Sequence, residues 1–62
     1  SMITILMVLT LSGASVSIDM TGAYGSLTIE ECQSYIPWLQ EIWQAESAFC
    51  AMGDILNPLE DS

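Results

Sequence analysis

The chain has 62 residues, enough for one domain and no more, since a chain this short buries only about 60% of its unfolded surface. Its hydrophobic fraction of 52% is too high for disorder, yet eight Asp and Glu stand against no Lys, Arg or His, for a net charge of −8. Direct binding to a phosphate backbone needs Lys and Arg. Triads need His, and Schiff bases and P-loops need Lys, so these classes are excluded.

Ser1, ahead of Met2, reads as a cleavage scar. The ten residues MITILMVLTL are apolar or β-branched almost throughout. A membrane-spanning helix needs about 20 apolar residues, so this run is read as a strand and no membrane span is expected. Ile3, Ile5, Met7, Leu9 and Leu11 fall on one face and Thr4, Leu6, Val8 and Thr10 on the other. Both faces are largely apolar, which predicts a central strand. A secretory signal is the competing reading, with Ser12, Gly13 and Ala14 as a small-residue cleavage site. The missing positive charge ahead of the run counts against it.

Ser12 and Gly13 fit a two-residue hairpin loop, Gly supplying the positive φ that such turns demand. The next segment, ASVSIDM, alternates: Ala14, Val16, Ile18 and Met20 inward, Ser15, Ser17 and Asp19 outward. Two glycines mark TGAYGS as a loop. Its G-A-Y-G spacing matches the KH-domain clamp, but no basic residue is present to help grip phosphates.

A capping box opens the helix, with Thr28 as N-cap, Glu31 reaching back and Leu27 as half of a hydrophobic staple. At 100° per residue Ile29, Cys32, Tyr35, Ile36, Leu39, Ile42 and Trp43 share one face, predicted to be core. Pro37 falls on the opposite face, which predicts a kink or two abutting helices. Glu46 would enter the buried face if the helix ran straight, so an end or bend is expected by Ala45. AFCAM, Ala48 to Met52, reads as a third strand stopped by Gly53 and Asp54, followed by a tail with an Asn57–Pro58 turn. Ile55, Leu56 and Leu59 could cover the second face of the first strand near Leu6 and Val8. Left uncovered, that face is an apolar patch that favours a dimer. The sum is an α+β, ββαβ domain: a three-stranded antiparallel sheet with one Pro-kinked helix on a face.

Two readings stand for Cys32 and Cys50, both on core-facing positions: a disulfide, or two buried thiols in a reducing cytosol. Two sulfur ligands without His do not make a structural zinc site, and no metal or cofactor is expected. Glu30 and Glu31 are adjacent carboxylates, but acid–base catalysis needs a water-excluding cleft, so no enzyme is expected. Tyr24, in the glycine loop, and Trp38, beside Pro37, are candidate interface anchors, whereas Trp43 lies mid-stripe in the core.

Acidity aids solubility, but Lys mixed among Glu would do so too, with less repulsion. A complete absence of positive charge points to a partner whose own surface is basic, built to hold DNA or RNA. At 1.5 Å per residue Glu30 and Glu41 lie about 16 Å apart on one outward line, with the kink at Pro37 adjusting the spacing. Asp19, Glu31, Glu46, Asp54, Glu60 and Asp61 extend the candidate partner-binding set.

In size, acidity and layout, from MITILMVLTL through TIEECQSYIPWLQ to FCAMGDILNPLEDS, the chain resembles the small acidic phage-encoded anti-CRISPR proteins that mimic DNA. That resemblance implies a non-enzymatic monomer in the cytoplasm of a bacterial host. It would dock on the DNA-binding surface of a Cascade-type effector, with type I-C as the first candidate. The alternative is a small secreted or envelope protein with an N-terminal signal and a Cys32 to Cys50 disulfide.

Overall fold

The computed structural model describes residues 2 to 55. Strands β1 (Met2–Leu11) and β2 (Ala14–Asp19) are followed by helices α1 (Ile29–Ser34) and α2 (Ile36–Trp43) and by strand β3 (Ser47–Ile55). The sheet is antiparallel in the order β2-β1-β3, so the strand that is apolar on both faces is the central one. Both helices pack on one face, over β1 and β3. The domain is therefore the expected α+β layer pair, with its helical layer divided in two.

Local chemistry sets the joints. Ser12 and Gly13 both take positive φ, 50° and 84°, and leave Leu11 opposite Ala14, the tight loop that matches the twist of paired strands. The Thr28 side chain accepts from Glu31 N–H at 3.1 Å while Glu31 Oε1 accepts from Thr28 N–H at 3.0 Å, closing the capping box. The staple is not closed: Leu27 is 76% exposed, because Cys32, the residue it would meet, is turned to Cys50.

Pro37 starts a helix and does not bend one. It sits in the first turn of α2, where its missing N–H costs no bond, and the backbone breaks at Tyr35, whose N–H donates to Cys32 carbonyl at 3.0 Å. Of α2, Ile36 and Leu39 pack on the core while its last turn does not. Leu39 is buried as expected, but Ile42 and Trp43, placed in the core by an unbroken 100° progression, are 55% and 44% exposed. Glu30 and Glu41 stand on separate helices, α1 and α2. Gln44, in the left-handed region, ends α2, and Ala45 N–H donates to Gln40 carbonyl at 3.0 Å.

Strand β3 also departs from expectation. It runs through Gly53 and Asp54, because β1 extends to Met2 and offers a ladder partner at every step, with Thr4 opposite Gly53. A full ladder outweighs the weak strand preference of one glycine.

The core is Ile5, Met7 and Leu9 from β1, Met20 after β2, Cys32 from α1 and Leu39 from α2. On the sheet face without helices, Leu6, Val8 and Ala51 are half-buried and Phe49 is 54% exposed. The Asn57–Pro58 turn and the cover expected from Leu56 and Leu59 lie outside the described residues. So does the Ile55 side chain.

One internal group is out of place. Ser26 is buried and, among the described residues, its hydroxyl has no hydrogen-bond partner. Such a group keeps its desolvation cost without return. Ser26→Ala is expected to raise stability by about 1 kcal/mol, read as a higher urea midpoint at unchanged slope.

Candidate partner-binding surface

The carboxylates divide by what they touch. Asp19, at the end of β2, accepts through Oδ1 from Thr21 N–H at 2.9 Å and Gly22 N–H at 3.3 Å, pinning the turn out of the strand. Glu31 Oε1 gathers Leu27 N–H at 2.8 Å as well as Thr28 N–H and hydroxyl. Glu46 Oε1 accepts from Gly13 N–H at 3.1 Å, tying the start of β3 to the β1–β2 hairpin. These three side chains have structural work in the fold.

Glu30 and Glu41 differ. Both are exposed, one in the first turn of α1 and the other in α2, and among the described residues neither carboxylate accepts a hydrogen bond. Asp54 lies in β3, its side chain outside the described set. Glu60 and Asp61 lie outside the described residues altogether.

The aromatic candidates come together. Tyr24 from the loop packs edge-on against Tyr35 at 5.3 Å and Trp38 at 6.2 Å between ring centroids, and Tyr35 lies 6.2 Å from Trp38. Trp38 stays 52% exposed while the tyrosines are half-buried. Periodicity places Tyr35 in the core, and it packs against the core half-buried. Its spacing of three residues from Trp38, one helical turn, was the available signal that the two rings would meet. Ile42, one turn beyond Trp38, extends this exposed apolar row along α2 beside Glu41.

A shallow depression lined by Pro37, Gln40, Glu41, Gln44 and Ala45 holds a single carboxylate. Among the described residues no three His, Cys, Asp or Glu stand close enough to hold a metal ion, and no helix is long and apolar enough to cross a membrane.

Cys32 and Cys50 form a disulfide that ties the first turn of α1 to the middle of β3, with Cα atoms 6.2 Å apart. Of the two open readings of these cysteines, the structure takes the bridge. Compared with protein-family models, curated proteins and solved structures, the chain matches none.

Proposed function

We propose that the chain is a non-enzymatic inhibitor that occupies a cationic nucleic-acid groove by presenting carboxylates where phosphates would sit. Its target in this reading is a CRISPR–Cas effector of the Cascade type in a bacterial cytoplasm, with type I-C first, as the family resemblance implies. The observation that carries the reading is the pair Glu30 and Glu41, exposed and without internal hydrogen bonds among the described residues, in a chain without a single cation. A carboxylate already bonded to backbone N–H groups gains less from a partner's Arg than one that is not. Trp38, exposed between them in sequence and backed by Tyr24 and Tyr35, supplies an aromatic anchor.

The test is competition. The chain is expected to displace target duplex from a purified type I-C Cascade complex, and the double variant Glu30→Gln, Glu41→Gln to do so at least about tenfold less well, the loss of two charge-assisted contacts. The variant should keep the wild-type circular dichroism. Undiminished competition by the folded variant, or no competition by the wild type, refutes the reading.

The disulfide favours a second reading, a small secreted or envelope protein, because such bonds persist in oxidising compartments. Mass spectrometry of the protein from its native host separates the two. An intact N-terminus removes the signal-bearing version, and cleavage near Ala14 removes the cytoplasmic one.

A further inference from the structure

The two edges of the sheet are unlike. Met20 N–H donates to Ile5 carbonyl at 2.9 Å, in line with the β1–β2 register, and Ile5 N–H donates to Thr21 Oγ1 at 2.6 Å on the same side. In an antiparallel ladder the N–H and C=O of one residue point to the same neighbour, and successive residues alternate. Ile5, Met7 and Leu9 therefore address β2, while Thr4, Leu6, Val8 and Thr10 address β3. Their partners Gly53, Ala51, Phe49 and Ser47 point back at β1. Ala48, Cys50 and Met52 are left with backbone donors and acceptors directed away from the sheet.

Protected edge strands are short, charged, bulged or broken by Pro. The β2 edge is: six residues long, it turns Ser15, Ser17 and the charged Asp19 outward. The β3 edge is not. It runs for nine residues with no Pro and one charge, Asp54, next to its last residue, and exposes Phe49 on one face and Met52 on the other, 54% and 56% accessible. Among the described residues β3 pairs with β1 alone.

Charge selects the occupant. The helices that carry Glu30, Glu31 and Glu41 lie over the β1–β3 half of the sheet, and a second copy would bring a further −8 against the same edge. A strand carrying Lys or Arg is attracted by the same field. We propose that the outer edge of β3 takes up an extended segment of a basic protein as a fourth strand. Its apolar side chains would lie beside Phe49 and Met52, and Lys or Arg would flank them. This deepens the reading above and rests on its basic partner, adding a backbone contact to the carboxylate contacts of the helices.

The probe is a synthetic peptide of alternating Val and Thr with Lys at both ends, cut to the length of β3, added to the isotope-labelled intact chain. Amide exchange at Ala48, Cys50 and Met52 is expected to slow by about tenfold or more at saturation, as new backbone bonds form. The same peptide with Glu for Lys is expected to do nothing. Met52→Pro removes an outward N–H without touching the β1 ladder and should abolish the effect. The wild-type exchange map decides the matter even if that variant fails to fold.

Two results overturn the inference: peptide effects confined to α1 and α2, or slowing at the same three amides with protein concentration alone, which gives the edge to a second copy. The readout sits on β3, so it fails separately from the Glu30 and Glu41 competition. Slowed β3 amides with no displacement of DNA would remove the Cascade target and keep the strand.

Discussion

Reducing the Cys32–Cys50 bond is expected to lower the unfolding free energy by about 3 kcal/mol, the chain entropy released from the loop that it closes. A domain of this size has only about 3 to 9 kcal/mol in total, at 0.05 to 0.15 kcal/mol per residue. The bond therefore supplies a large share, as small cores commonly require. It also fastens the first turn of α1, a helix of six residues that is too short to persist alone, to the middle of β3. Thermal unfolding with and without dithiothreitol should show a fall of about 15 °C. The double variant Cys32→Ala, Cys50→Ala should match the reduced protein more closely than the oxidised one. A fall of only a few degrees would mean that sheet and helices hold together by packing alone.

Leu39→Ala is expected to cost about 3 kcal/mol, whereas Ile42→Ala, in the same helix, should cost under about 0.5 kcal/mol. Leu39 is the buried residue of α2 and is packed on the β1 core, and truncating it leaves a cavity where the helix meets the sheet. Ile42 is 55% exposed and leaves none. Urea unfolding of the two variants at unchanged slope reads the difference directly. Equal costs would put Ile42 back in the core, where an unbroken helix would have placed it. With Leu39→Ala the helix carrying Glu41 and Trp38 should also lose hydrogen-exchange protection first.

The legible part of the fold was that written in local rules. Period-two alternation named the faces of β1 and β2. The Ser12–Gly13 pair named the hairpin, and Thr28 with Glu31 named the start of α1. The illegible part depended on phase and pairing. Whether Pro37 kinks a helix or begins one is decided by what the backbone does at Tyr35, and periodicity does not say how far α2 stays on the core, so Ile42 and Trp43 lie at the surface while Leu39 is buried. The length of β3 depended on the reach of β1 rather than on Gly53. In the candidate site, composition named every carboxylate but not its duty. Glu31 is the exception, its capping duty being legible beside Thr28, whereas Asp19 holds a local turn and Glu46 the N–H of Gly13, 33 residues away, and those two are separated from Glu30 and Glu41 only by coordinates. Tyr24 reaches the Tyr35–Trp38 pair from a loop, a contact that no periodicity encodes.

Recognition of this surface by a cationic groove, as proposed above, is electrostatic. It is tested most directly by the salt dependence of the chain's affinity for the purified type I-C Cascade complex, measured from low to molar sodium chloride. Ion pairs that displace bound counterions give a logarithm of the association constant that falls steeply and linearly with the logarithm of salt. Such a fall is expected, shallower in the Glu30→Gln, Glu41→Gln variant. Binding that holds its strength into molar salt would contradict it.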